Sequence, residues 1–132
     1  MVAVLPACAG RTEASTVTAV QCEVGDTVLV RDVIYFGRNR PDGGTVSVAE
    51  WQEFLDQVVT PHFPKGLTVV EATGQWRNLS GEVERERAEV LTVLYRDDDA
   101  ARRAVGDITT EYKRRFHQEA VLRERTPACV RF

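Results

Sequence analysis

The sequence lacks several patterns that indicate particular functions. No apolar run among its 132 residues approaches the roughly 18–20 residues of a membrane span. Basic residues are not in excess, because 17 Lys and Arg stand against 20 Asp and Glu, and this balance argues against a nucleic-acid partner. The glycines form neither a GxGxxG nor a Walker pattern, so nucleotide binding has no support.

Metal-ligating and catalytic residue types are also scarce. The three cysteines have no CxxC spacing, and the two histidines, His62 and His117, do not complete a zinc pattern. Neither histidine has an orienting partner visible in the sequence, and Ser47 lacks the GxSxG context of a nucleophile. We therefore expect no metal and no cofactor, and the sequence assigns no catalytic residue.

The composition is that of one globular domain. Apolar residues make up 43% of the chain and charged residues 28%, with a formal net charge of −3. The length fits a single domain, which we place at residues 22–132. Residues 9–21 are small and polar, which predicts a flexible tether before that domain.

The N-terminal segment resembles the end of a bacterial export signal. Leu5-Pro6-Ala7-Cys8 is close to a lipobox, in which a small residue precedes the cysteine that becomes lipidated. We therefore interpret residues 1–21 as the remnant of a truncated lipoprotein signal followed by the tether, with a lipid on Cys8 as the only membrane contact. This interpretation places the protein in the cell envelope or outside the cell. The alternative is a cytoplasmic protein with three free thiols.

Apolar periodicity predicts the element order β-α-β-β-α-β. We expect strands over residues 27–36, 67–77, 82–95 and 121–132, the last one interrupted near Thr126-Pro127. A capping box, Ser47 to Glu50, begins the first helix, and Thr60-Pro61 is expected to end it. The second helix follows residues 97–99. This order predicts an α+β, ferredoxin-like split βαβ fold, an antiparallel four-stranded sheet with two helices on one face.

That topology brings the two ends of the domain together. The last strand lies antiparallel beside the first, so Cys129 meets Cys22. We predict a disulfide between them, which closes a very long loop and stabilises the fold by about 3–5 kcal/mol in the chain-entropy model. The alternative is a pair of unbridged thiols.

The middle strands are apolar on both faces, although the helices cover only one. On the third strand Val90 and Leu94 point one way, and Leu91, Val93 and Tyr95 point the other. On the first strand Val28, Val30 and Ile34 lie on the face opposite Leu29, Val33 and Tyr35. An uncovered apolar sheet face is unusual on a monomer, so we expect a homodimer through this open face. The alternative is that the N-terminal tail covers it.

Ordered short motifs run through the chain and carry a resemblance. They are Tyr35-Phe-Gly-Arg38, Val46-Ser-Val-Ala-Glu-Trp51, Pro61-His-Phe-Pro-Lys-Gly66, Gly74-Gln-Trp-Arg77 and Ala128-Cys129-Val130-Arg-Phe132. Over about residues 22–132 the chain resembles the bacterial family called domain of unknown function 3574. Members of that family often carry export or lipoprotein signals, and the family implies no activity.

The ends of the first two strands supply the candidate ligand site. These strands run parallel, so Tyr35 and Arg38 meet Gln75 and Arg77 at one rim. We expect Tyr35, Gln75 and Arg77 to share one face, since alternate residues of a strand point the same way. A tyrosine, an amide and two guanidiniums at this rim predict a site for a small anionic ligand, a carboxylate or phosphate. Glu86, across the hairpin, is an alternative partner for Arg77. The competing interpretation is a surface Arg–Glu network with Trp76 in the core.

Three classes of function are compatible with these observations. We favour an exported binding or structural module of the cell envelope. The alternative is a cofactor-free small-molecule enzyme of the isomerase, cyclase or monooxygenase type, with its site at the Tyr35 and Arg77 strand ends. A third class, a cytoplasmic ligand sensor, requires reduced cysteines.

Overall fold

A computed structural model describes residues 19–132. Its four strands are β1 (Thr27–Gly37), β2 (Thr68–Arg77), β3 (Val83–Tyr95) and β4 (Leu122–Val130). The predicted lipidation site, Cys8, lies outside the described residues, as does most of the predicted tether. The rest of the chain forms one α+β unit, a sheet of four strands with two helical segments.

The sheet is antiparallel throughout, in the order β2-β3-β1-β4. β1 lies between β3 and β4, and β2 lies at the edge beyond β3. Because β1 and β2 both run antiparallel to β3, they are parallel to each other and end at the same rim. The β2–β3 hairpin continues past the end of β1, since Gly37 pairs with Ala88 while Arg77 pairs with Val83 farther along.

The first helical segment is longer than the sequence pattern predicts. α1 (Val48–Phe54) begins at the Ser47–Glu50 capping box and continues through a π-helical turn (Leu55–Val59) into α2 (Thr60–His62). The prediction that Thr60-Pro61 ends the helix is therefore wrong. Thr60 keeps helical backbone angles although it precedes Pro61, which directly follows the π-helical turn and lies in the last turn of the segment.

The second helical segment is α3 (Asp99–Phe116). Its N-cap is Asp98, whose side chain accepts a hydrogen bond from the backbone N–H of Ala101 at 2.8 Å. It ends at His117, which takes the left-handed conformation at φ 56°. His117 is thus a helix terminator, and it is exposed.

Aromatic packing holds the helices to the sheet and fixes the end of β1. Phe36 is fully buried, with ring centroids 4.7 Å from Tyr112, 5.3 Å from Trp51 and 5.9 Å from Phe54. The Tyr112 hydroxyl donates a hydrogen bond to the carbonyl oxygen of Gly37 at 2.9 Å. The last residues of β1 are therefore held rigidly from the helix side.

A disulfide joins Cys22 to Cys129, as predicted, with the two Cα atoms 5.4 Å apart. β4 runs without the predicted interruption, because Pro127 lies on an edge strand where a missing N–H is tolerated. Arg131, just after β4, forms ion pairs with Asp26 at 2.7 Å and Glu23 at 3.4 Å. The start and the end of the domain are thus connected covalently and ionically.

One face of the sheet carries no helix. Its central residues Leu29 and Val33 are buried by neighbouring side chains, but Leu94, Val70 and Leu122 are exposed. Burial of this face by a second copy of the chain stays a prediction.

Candidate functional site

A pocket of about 440 Å³ opens on the helix-free face, at the rim where β1 and β2 end. Three residues without long side chains, Gly37, Gly74 and Ala88, leave the space between neighbouring strands. Tyr35 and Trp76 supply aromatic surface on either side of that space. The segments 39–41 and 118–120 complete the lining.

Carboxylates dominate the charge of the pocket. Glu84, Glu86 and Glu119 line it, against one basic residue, Arg40. Arg40 is already engaged, because its Nη2 binds Glu50 at 2.5 Å and its guanidinium lies 5.5 Å from the centre of the Phe116 ring. The pocket is therefore acidic.

Glu86, on β3, is held in place by the end of β1 and by Asn39, which follows it. Its Oε2 accepts a hydrogen bond from the backbone N–H of Asn39 at 3.2 Å. The carboxylate also lies directly against Gly37, since a Cβ placed on Gly37 would be 2.6 Å from Oε2 and 2.7 Å from Oε1. Oε1 has no hydrogen-bond partner among the described residues, which leaves it for a ligand.

The neighbouring polar groups are also fixed in place. Glu84 Oε1 accepts from Asn78 Nδ2 at 2.9 Å. Tyr35 donates its hydroxyl proton to Glu124 Oε1 at 3.0 Å, and that hydrogen bond raises the pKa of the Tyr35 phenol above its usual value. Tyr35 is therefore neutral at physiological pH and presents its ring.

The structure brings together only part of the predicted anion site. Tyr35, Gln75 and Glu86 line the pocket. Gln75, however, pairs with Arg85 in a register that puts Gly74 and Trp76, rather than Gln75 and Arg77, on the face of Tyr35. The expectation that Tyr35, Gln75 and Arg77 share a face is therefore wrong.

Neither predicted guanidinium reaches the pocket. Arg38 is buried on the helix side, where Nε donates to the Val46 carbonyl at 2.8 Å and Nη1 pairs with Glu89 at 3.2 Å. Burial of that pair raises the pKa of Glu89. Arg77 turns back into its own hairpin and donates to the Gly81 carbonyl at 2.5 Å, so it does not pair with Glu86.

Trp76 is the clearest departure from the sequence interpretation. The competing interpretation placed it in the core, but it is 45% exposed and lines the pocket. Glu84 and Glu119 were missed as site residues. The strand register would have identified Glu84, because it lies opposite Trp76, whereas nothing in the sequence places Glu119 there.

No metal-ligating cluster in the described part of the chain offers an alternative site. Within residues 19–132, Cys22, Asp26 and Cys129 form the one group with metal-ligand proximity, and both sulfurs are engaged in the disulfide. No helix in this described part of the chain is long and apolar enough to cross a membrane.

Residues 31–132 match the family model described as "Protein of unknown function (DUF3574)". The chain belongs to this family. The resemblance carried by the sequence motifs is thereby confirmed. No curated protein matches the sequence.

Two solved structures are similar to this DUF3574 chain in fold. A phage SAM lyase in complex with S-methyl-5′-thioadenosine has a TM-score of 0.61 and 14% identity, over 86% of this chain and 95% of the lyase. A phage SAM lyase in the apo state has a TM-score of 0.54 and 17% identity, over 83% of this chain and 87% of the lyase. At these identities the likeness concerns the fold.

Proposed function

We propose that this chain is an extracytoplasmic binding module that takes a small nucleoside-like molecule in the pocket between Tyr35 and Trp76. The observation that carries the proposal is the fixed carboxylate of Glu86 beside aromatic surface, over a floor of glycine and alanine. This assignment replaces the small anionic ligand of the sequence analysis with a ligand that is neutral or cationic.

The chemistry of the pocket matches such a ligand in two respects. A planar heterocycle stacks favourably on tyrosine or tryptophan, at about 1–3 kcal/mol for each base. A carboxylate accepts hydrogen bonds from sugar hydroxyls, as acidic residues do in dinucleotide sites, and it attracts a cation. Glu86 Oε1 and the Glu84 carboxylate would accept these hydrogen bonds in the pocket.

The compartment is inferred from the disulfide. Disulfides persist in oxidising environments, and Cys22 and Cys129 are joined. The lipobox-like Leu5–Cys8 segment supports the same assignment from sequence, with a lipid on Cys8 as the membrane anchor. Export would keep this module in the cell envelope or release it outside the cell.

We also assign the fold to the ferredoxin-like split βαβ class. The strand order β2-β3-β1-β4, with parallel β1 and β2 on either side of β3, supports this assignment. Folds of this kind host many unrelated functions, so the fold alone selects none.

Titration calorimetry with S-methyl-5′-thioadenosine, and separately with adenosine, tests the binding proposal. We expect saturable binding of at least one of them to the full chain, weakened about tenfold or more by Glu86→Gln, because a charged acceptor contributes about 1.5–3 kcal/mol. Glu71→Gln is the matched control, since Glu71 is exposed and lies on the helix side of β2. Absence of saturation with both ligands would overturn the proposal.

A second candidate function is a cofactor-free enzyme at the same pocket. The fold likeness to the phage SAM lyase favours it. Incubation with SAM, followed by chromatography for S-methyl-5′-thioadenosine, separates the candidates. Product formed by the wild type and by Glu71→Gln but not by Glu86→Gln supports the enzyme, whereas ligand binding without product supports the module.

A further inference from the structure

A second, larger pocket lies at the opposite rim of the sheet. It measures about 950 Å³ and opens where β1 and β2 begin and β3 ends. Its lining is largely apolar, and part of that surface comes from residues that are themselves buried in the core. Apolar lining residues include Leu29, Phe63, Leu67, Tyr95, Ala104 and Phe132.

The charge of this second pocket is opposite to that of the first. His62, Lys65 and Arg96 line it, against one carboxylate, Asp98. Asp98 is already engaged as the N-cap of α3. Among the described residues, neither Lys65 nor Arg96 forms an ion pair or a side-chain hydrogen bond, although most arginines of the domain form ion pairs.

We propose that this pocket binds a fatty-acid-like anion, with a carboxylate head at Lys65 and Arg96 and the hydrocarbon chain along Phe63, Leu67 and Phe132. Burial of apolar surface supplies about 25 cal/mol for each Å² removed from water. The two unpaired cations select a negative head, since a guanidinium binds a carboxylate through two parallel hydrogen bonds. The volume lies within the range of ordinary ligand pockets.

The second pocket is separate from the first. Thr27 and Phe132 line it, and the Cys22–Cys129 disulfide closes the same end of the sheet. The acidic Tyr35–Trp76 pocket lies at the other end of β1, so the two ligands do not compete. This proposal is independent of the proposed nucleoside-binding function.

Fluorescence enhancement of cis-parinaric acid, below its micellar concentration, tests the proposal on the full chain. We expect saturable binding, displacement by palmitate, and much weaker displacement by hexadecanol or by hexadecyltrimethylammonium at equal concentration. The uncharged and cationic ligands share the apolar chain and lack the negative head. Equal displacement by all three would overturn the assigned head group, and absence of saturable binding would overturn the site.

Charge-reversal variants locate the binding site. Lys65 and Arg96 are both exposed, so Lys65→Glu/Arg96→Glu is expected to fold normally. It should weaken palmitate binding about tenfold or more. Arg85→Glu is the matched control, because Arg85 is also exposed and lies at the far end of β3. Unchanged affinity in the double variant, or equal loss in the control, would contradict the proposal.

Discussion

The carboxylate of Glu86 occupies the space that a side chain on Gly37 would fill. A Cβ on Gly37 would lie 2.6 Å from Glu86 Oε2, well inside van der Waals contact. Two strands are involved, because Gly37 ends β1 and Glu86 lies on β3, two residues from the partner of Gly37. The absence of a side chain at Gly37 therefore positions the main acidic group of the candidate site.

Gly37→Ala should move the Glu86 carboxylate out of its present position without unfolding the protein. The added methyl group displaces the flexible end of Glu86 and breaks its hydrogen bond from Asn39. We expect a change in the free energy of unfolding of less than about 1 kcal/mol, since alanine is favoured over glycine within a strand. Binding of S-methyl-5′-thioadenosine should fall as far as in Glu86→Gln, measured by calorimetry. A further loss in Gly37→Ala/Glu86→Gln would contradict the shared mechanism.

The ion pair between the buried Asp32 and the partly buried Arg123 should contribute strongly to stability. Asp32 is fully buried, and Arg123 binds it through two hydrogen bonds of 2.8 and 2.7 Å, while the Tyr95 hydroxyl also donates to it. Arg123→Met leaves that carboxylate without its cation. We expect urea unfolding to show a loss of about 3 kcal/mol.

A paired replacement distinguishes a missing partner from lost packing. Asp32→Leu/Arg123→Met removes both charges and should recover most of the stability that Arg123→Met loses. If the double variant is as unstable as the single one, packing rather than the unpaired carboxylate explains the effect.

The disulfide should contribute about 3–5 kcal/mol through the 107-residue separation it closes. Cys129→Ser should lower the free energy of unfolding by that amount, because the unfolded chain regains the conformational entropy that the disulfide removes. Urea unfolding under non-reducing conditions measures it, with Cys8→Ser as the control. An equal loss in both variants would exclude the assigned bridge as its cause.

The lowered pKa of Glu111 predicts that the stability of the fold depends on pH in the acid range. Hydrogen bonds from Arg114, at 2.7 and 2.8 Å, together with Arg115, hold the pKa of Glu111 at about 2, below the ordinary 4.5. A carboxyl whose pKa is lowered by folding adds stability above pH 4.5, and that stability is lost as the pH falls toward 2. The melting-temperature difference between wild type and Glu111→Gln should therefore shrink across this window. A constant difference would show that the ion pairs do not contribute.

The open sheet face remains a predicted homodimer interface. Val70 and Leu94 are 57% and 41% exposed on this face, so a charge at either one costs little in a monomer. We expect light scattering to give twice the mass of one chain for wild type and the single-chain mass for Leu94→Glu. A single-chain mass for the wild type would contradict the predicted homodimer.

Much of the fold follows from local patterns in the sequence. Strands alternate apolar residues, and the capping box at Ser47 begins the first helix where it should. Adjacency of β1 and β4, and with it the Cys22–Cys129 bridge, follows from the topology. The helix past Pro61 was not predicted, because a π-helical turn has no strong local pattern.

The site was harder to predict than the fold because a side chain's face depends on strand register. The strand register aligns odd-numbered residues of β1 with even-numbered residues of β2. Gln75 and Arg77 therefore lie on the other face from Tyr35, whereas Trp76 lies at the pocket. Arg38 follows the end of β1, and its direction is set by Glu89 and the Val46 carbonyl, 51 and 8 residues away. Such long-range partners are not visible in one sequence.

Amide-resolved NMR during titration with S-methyl-5′-thioadenosine tests the central claim most directly. We predict saturable shifts for the amides of Gly37, Gly74 and Glu86 and for the indole N–H of Trp76, with the Lys65 end of the sheet unchanged. Shifts confined to the Lys65 end, or no saturable shift at any residue, would contradict the assignment of the Tyr35–Trp76 pocket as the ligand site.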